Sequence, residues 1–279
     1  MQVAVTGAAG KTGSAVRRAL GATEADVVPL VHRPRGLDNE QVADLGDAAQ
    51  IRDALEGIDA LYLIAPNVHP DEPGLLAPTL AECEHRGVRV VYHSVMHPYS
   101  PLMPHHLDKA RVEDSLHRSD LSWTILQPAS YADNALAPLR AVGDDGSWWV
   151  PYDVERPFTP IALEELAQIA ARVLTEPDHD HATYELAGPQ RITTAQMAAA
   201  AAEITGRPIE ARADREHWRR GPGASLDADA RDRLERMFDY YDAHGFCGGS
   251  AIAEMLLRRT PLTFTKWLAA ARAGGLADD

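Results

Sequence analysis

Three glycines spaced three apart, Gly7, Gly10 and Gly13, lie in the run Thr6-Gly7-Ala8-Ala9-Gly10-Lys11-Thr12-Gly13, between an apolar segment and a helical pattern. Residues of these types in this order suit a pyrophosphate. Gly7 lets the chain turn out of a strand, Gly10 lets backbone approach the anion with no Cβ in the way, and Gly13 lets the helix pack closely against its strand. The helix start adds N–H donors and the positive end of its dipole. A triphosphate loop is excluded, because four residues do not separate Gly7 from a Gly-Lys-Ser/Thr triplet.

His105 and Lys109 form a second chemically able pair. Positions i and i+4 share one helix face, which brings an imidazole beside an ammonium. An imidazole, with an unperturbed pKa of about 6.5, suits proton donation, and a neighbouring ammonium favours its neutral form. Lys109 could itself be the acid or base, with Tyr99 and Tyr131 as further donors. His105 and His106 could equally just begin an exposed helix after Met103-Pro104. No metal is expected, since no cysteine or grouped carboxylate joins His93, His97, His105 and His106.

The elements that must position these groups read from periodicity. Strands are expected at 2–6, 27–31, 41–44, 60–64, 89–93 and 122–127, with helices at 11–20, 48–55, 74–86 and 105–119. Strands alternating with helices give an α/β fold, a Rossmann-type doubly wound parallel sheet, followed by a smaller C-terminal substrate lobe. The expected division is 1–130 for the dinucleotide-binding domain and 131–279 for the lobe, with a segment near 160–188 returning to the first domain. Past 130, helices are expected at 134–142, 163–175, 194–205, 226–243, 252–257 and 264–272, an apolar segment at 148–150, and a strand at 184–187.

The second strand decides which dinucleotide. An NAD-binding fold commonly carries an acid about 20 residues past the glycines to bind the ribose 2′-hydroxyl. Here the segment is Val31-His32-Arg33-Pro34-Arg35, with guanidinium groups in that place. Arg33 and Arg35, assisted by Lys11, suit a 2′-phosphate and hence NADP(H).

Bulk composition narrows the partners. Over 279 residues the formal net charge is −14, which argues against nucleic acid as a direct partner. The 45% hydrophobic content supports a sizeable core. Apolar runs are too short to span a bilayer, and an N-terminus that is itself the first strand leaves no room for a signal peptide, so a cytoplasmic location is expected. Cys83 and Cys247 lack metal-ligand spacing and suit a reduced compartment. A homodimer is left open.

The chain resembles the NmrA-like atypical short-chain dehydrogenases/reductases, and is similar to isoflavone-reductase-like enzymes. The match rests on the glycine run, Asp44-Leu45 with Asp47, Gly57-Ile58-Asp59-Ala60 and Val91-Tyr92-His93-Ser94. It continues through Lys109 with Glu113, Trp123 to Pro128 followed by Tyr131 and Asn134, Tyr184 to Pro189, and Thr205 to Pro208. The resemblance implies that Asp44 and Leu45 cover the adenine, that Ala65 and Pro66 line the cofactor ribose, and that Ser94 and Lys109 face the nicotinamide end. In the wider superfamily a tyrosine four residues before the lysine supplies the proton; here that position is His105. The family commonly has arginine where Gln127 stands.

Substrate selectivity is expected from the second lobe and from the loop His97–Pro104, with His97, Tyr99, Tyr131 and Asn134 as candidate contacts. Aromatic residues of the lobe, among them Trp148, Trp149, Trp218, Phe238 and Tyr241, favour an apolar small molecule. The expectation is an NADPH-dependent reductase of a small, mainly apolar carbonyl or enone. The alternatives are a non-catalytic NADP-sensing regulator and a non-redox isomerase or lyase.

Overall fold

The computed structural model describes residues 1–274. In chain order the elements are β1 (Gln2–Val5), α1 (Lys11–Leu20), β2 (Asp26–Val31), β3 (Gln41–Val42), α2 (Ala48–Ala54), β4 (Ala60–Leu63), α3 (Glu72–Arg86), β5 (Arg89–His93), α4 (Pro104–His117) and β6 (Trp123–Pro128). They continue as α5 (Leu136–Arg140), β7 (Ser147–Val150), β8 (Pro157–Phe158), α6 (Leu163–Thr175), β9 (Ala182–Leu186), β10 (Ile192–Thr193) and α7 (Thr194–Thr205). The last are β11 (Glu210–Ala213), α8 (Arg215–Arg220), α9 (Ala228–His244), α10 (Ala251–Leu257) and α11 (Phe264–Ala273). Two compact units result: Met1–Pro128 with Leu163–Glu185, and Ala129–Ala162 with the chain from Leu186 onward.

The first unit is built on a seven-stranded sheet of order β3-β2-β1-β4-β5-β6-β9, in which β3 through β6 pair in parallel. Alternation of side chains across the strands explains the two layers of helices. Ala4, Leu61, Leu63, Val90, Tyr92, Trp123 and Ile125 share one buried cluster with Ile51 of α2, Leu76 and Cys83 of α3, and Val112 and Leu116 of α4. On α6, Leu166, Ala167, Ile169, Ala170 and Val173 are fully buried, and that helix packs against α1 and on β4, β5 and β6. The strand order reverses between β1 and β4, which is where such sheets open a crevice at their carboxyl ends.

Two boundaries differ from the sequence expectation in ways that matter. The third strand stops at Val42 because Asp44 leaves the ladder: its N–H donates to Gln50 Oε1, and its carboxylate takes the Gly46 N–H at 2.9 Å. The third helix starts at Glu72, two residues early, because Asp71 caps it through the Gly74 N–H at 2.9 Å and Pro73 fits the first turn. That start puts Glu72 inside the helix.

In the second unit β7 pairs with β11 in parallel and β8 with β10 antiparallel. The helix α7 opens with a reciprocal Thr193/Gln196 capping box and closes on Gly206 in the left-handed region. The helix expected over 134–142 is instead a 3-10 turn, Ala132–Ala135, running into α5. Among the described residues no helix is long and apolar enough to cross a membrane.

Candidate cofactor site and active site

The glycine loop leaves β1 at Thr6, whose hydroxyl accepts the Ile64 N–H at 2.7 Å and donates to the Ile64 carbonyl at 2.8 Å. This ties the ends of β1 and β4 together beneath the loop. Gly7 has φ +56, the left-handed turn only glycine adopts without strain. A Cβ on Gly13 would sit 2.3 Å from the Gly7 carbonyl oxygen and 2.9 Å from Ala8 Cα. The third glycine therefore fits helix to loop backbone rather than helix to strand, a correction to the expected contact. Ser14 Oγ and an Arg17 N–H both donate to the Ala8 carbonyl, at 3.2 and 3.1 Å, which fixes the loop from the helix side. Gly10 caps α1 with no side-chain hydrogen bond, its own N–H donating to the Gly7 carbonyl at 2.8 Å, and the positive end of the helix faces the loop. Thr6, Gly7, Ala9, Gly10, Lys11, Thr12 and Gly13 lie together on this loop and helix start, a place that could hold a dinucleotide diphosphate.

At the neighbouring strand end, Ala8 N–H meets the Leu30 carbonyl of β2 at 3.4 Å. Arg33 and Arg35 are exposed just beyond. One acid of the same loop, Glu40, is already engaged. Glu40 accepts the N–H groups of Arg35, Gly36 and Leu37 at 3.0 to 3.2 Å, and those backbone donors hold its carboxyl below the ordinary range. Asp44 is half-buried, 3.9 Å from His32 Nδ1, and Leu45 packs against the core. Ala65 is half-buried and Pro66 exposed in the loop leaving β4.

A buried ionic cluster forms where β5 ends. Lys109 Nζ on α4 donates to Glu72 Oε1 on α3 at 2.9 Å and approaches the His93 carbonyl at 3.5 Å. Its ammonium also lies 5.6 Å from the centre of the Tyr92 ring, and the Tyr92 hydroxyl donates to the same Glu72 oxygen at 2.6 Å. Burial, then the Glu72 charge, pushes the Tyr92 phenol well above its ordinary pKa, so it stays protonated. The His93 imidazole is bonded to the Tyr62 hydroxyl, and burial drives its pKa down to about 3.

Three side chains converge on a second buried carboxylate, Glu113, which is fully enclosed. Ser94 Oγ donates to Glu113 Oε1, Gln127 Nε2 donates to both oxygens at 2.9 Å, and the exposed Tyr99 donates to Oε2 at 3.2 Å. Gln127 therefore stands as a neutral donor to Glu113. Since a hydroxyl has one proton, Ser94 offers lone pairs, not a proton, to anything else near it. His105 and His106 are buried on α4 with their rings edge to face at 4.7 Å. Burial, then His105 and Lys109, holds the His106 imidazole well below its ordinary range. His97 sits in the left-handed region, φ +55, at the start of the loop to α4.

Of the candidate substrate contacts, His97 and Tyr99 belong to the first unit; Tyr131 and Asn134 belong to the second, where both line a cavity. Glu40, Glu72 and the acceptor role of Glu113 are the site features that sequence reasoning missed. Only Glu113, four residues past Lys109, carried a spacing signal. Among the described residues no group of three or more His, Cys, Asp or Glu could hold a metal ion.

The sequence matches the NAD(P)H-binding family over residues 7–177. It is 27% identical over 216 residues to the NAD(P)H azoreductase of Xenophilus azovorans, covering 74% of this chain and 75% of that protein. It is 28% identical over 222 residues to quinone oxidoreductase 2 of Escherichia coli strain K12, covering 74% and 76%. The crystal structure of NmrA, a negative transcriptional regulator in complex with NADP, shares the fold with a TM-score of 0.76 at 17% identity, over 99% of this chain and 98% of that one.

Proposed function

The chain belongs to the NAD(P)H-binding family, and from that premise we propose that it is an NADPH-dependent reductase of a small, mainly apolar carbonyl or enone. The observation that carries the reading is the pairing, at the carboxyl ends of β1 and β5, of a glycine cradle with an ammonium fixed by a buried carboxylate. Relatives named for azo and quinone reduction support acceptor chemistry of this kind.

The residues divide the work. The loop from Thr6 to Gly13 takes the diphosphate, and Asp44, Leu45, Ala65 and Pro66 border the adenosine half. Arg33 and Arg35, with Lys11, meet a 2′-phosphate, and the preference for NADPH follows from Glu40 being committed to the backbone of its own loop. When bound, the nicotinamide supplies the hydride. Lys109, held by Glu72 and the His93 carbonyl, binds the ribose hydroxyls at that end. Ser94, its proton given to Glu113, accepts a hydrogen bond there. His105 hands a proton to the substrate oxygen, one turn before Lys109 on α4.

Absorbance assays of NADPH oxidation against a panel of ketones, enones and quinones test this. Acceptor-dependent oxidation that is lost in Lys109→Ala is the expected result; oxidation with no acceptor, or turnover unaffected by that substitution, contradicts it. A second reading, an NADP-binding sensor without turnover, is favoured by one observation: His105 and not tyrosine stands four residues before Lys109. Tight NADP binding with an inert acceptor panel would select the sensor.

A further inference from the structure

The loop from β2 to β3 already holds an anion, and that anion is its own. Glu40 Oε1 accepts the Arg35 and Gly36 N–H groups at 3.0 and 3.2 Å, and Oε2 accepts the Arg35 and Leu37 N–H groups at 3.1 and 3.0 Å. Three successive amides thus converge on one carboxylate. Successive N–H groups bent toward a common point make a concavity that binds anions. Gly36, at φ +72, supplies the left-handed step that such a bend needs. A turn in which the Glu40 N–H donates to the Leu37 carbonyl at 3.3 Å brings the acid back over the amides.

The surroundings of this concavity are basic. Arg33 and Arg35 are exposed in the same loop, just past the carboxyl end of β2, and they carry the proposed contacts to the cofactor's 2′-phosphate. The Leu37 and Arg35 N–H groups do most to hold the Glu40 carboxyl below its ordinary range, and the Arg35 charge adds to them. The acid is therefore ionised at neutral pH, and it offsets part of the positive potential that the loop presents.

A carboxylate and a phosphate monoester take the same donors, since both accept backbone N–H groups and both pair with guanidinium. From this shared chemistry we infer that Glu40 is a specificity-determining residue: its carboxylate fills a backbone phosphate site, the Arg35, Gly36 and Leu37 amides, until the 2′-phosphate of NADPH displaces it. The tie that keeps Glu40 away from a ribose hydroxyl also limits how tightly NADPH is held. NADH, with only a hydroxyl at that position, leaves the carboxylate seated. The inference rests on Arg33 and Arg35 meeting the 2′-phosphate, and it requires no turnover.

Calorimetric titration of the full-length protein with NADPH and with NADH tests it. Glu40→Gln keeps the size of the side chain and one acceptor oxygen but removes the charge. It is expected to raise the NADPH-over-NADH affinity ratio about ten-fold, the scale of one hydrogen bond to a charged group, by tightening NADPH alone. A Glu40 that merely braced the loop would give the opposite sign. Asp38→Asn removes a charge from the same exposed loop while leaving the three amides on Glu40, and should change the ratio much less. In the wild-type protein the amide resonances of Arg35, Gly36 and Leu37 should move with NADPH and stay close to their free positions with NADH, a readout that needs no variant. The wild-type ratio tests the arginine assignment and its change on substitution tests Glu40, so the two fail separately. A ratio unchanged or lowered in Glu40→Gln, an equal rise in Asp38→Asn, or amides that respond alike to both cofactors would overturn the inference.

Discussion

Lys109 and Glu72 are 37 residues apart in sequence, yet their side chains meet at 2.9 Å with only 17% and 4% of their surfaces exposed. The pair joins α4 to α3 where β5 ends, and it fixes the ammonium at one point rather than leaving it to sweep the site. The Tyr92 hydroxyl on the same oxygen supplies a second bond to the carboxylate.

Removing one member of a buried pair leaves the other's charge uncompensated, at a cost of about 3–5 kcal/mol. Glu72→Gln is expected toward the lower end of that range, since Lys109 keeps some contact with water. Urea denaturation measures it, and the double substitution Glu72→Leu with Lys109→Leu should recover much of the loss. A single variant as stable as wild type would show that the pair contributes little.

Gly13→Ala places a methyl 2.3 Å from the Gly7 carbonyl and forces the loop open. Overpacking of this kind costs about 1–3 kcal/mol, so NADPH affinity should fall about ten- to hundred-fold in calorimetric titration. Gly87→Ala serves as the comparison. Gly87 has φ +69 with nothing within 4 Å, so alanine there strains the backbone and leaves cofactor affinity as it was.

Arg33→Ala and Arg35→Ala should each weaken NADPH binding about ten-fold while leaving NADH binding nearly unchanged, as loss of a charge-assisted bond to a phosphate requires. Titrations of both cofactors with both variants give the answer. Parallel losses for NADH would place the arginines away from the 2′-position.

Acid should destabilise the fold through His93. Its imidazole is held at about 3 against an ordinary 6.5, so between those values the unfolded chain takes up a proton that the folded chain refuses. Stability therefore falls as pH drops through that window, by up to about 1.4 kcal/mol per pH unit from this group. His106, also held low, acts with the same sign. His93→Gln should flatten the dependence of the urea midpoint on pH across the window; an unchanged slope would contradict the assignment.

The sheet and its helices were legible because their signals are local. Strand Arg89–His93 and helices Lys11–Leu20, Leu163–Thr175 and Thr194–Thr205 begin and end where the apolar pattern, caps and glycines indicate. The strands β8 and β10, two residues each, carry no periodicity to read. The carboxylates were hidden for another reason. Glu72 becomes a partner of Lys109 only once α3 and α4 pack side by side, and Glu113 turns to Ser94 and Tyr99 of the β5–α4 loop and to Gln127 of β6. Glu40 folds back on its own loop through backbone N–H groups, which side-chain types do not encode.

The central claim is that this chain uses bound NADPH to reduce an apolar carbonyl or enone, with Lys109 in the working site. NADPH deuterated at the transferring position, incubated with the protein and a panel of aromatic ketones and enones, tests it by mass spectrometry of the products. The account predicts deuterium on the reduced carbon with the wild-type chain and none with Lys109→Ala. Saturating NADPH binding with no labelled product from any acceptor would contradict it.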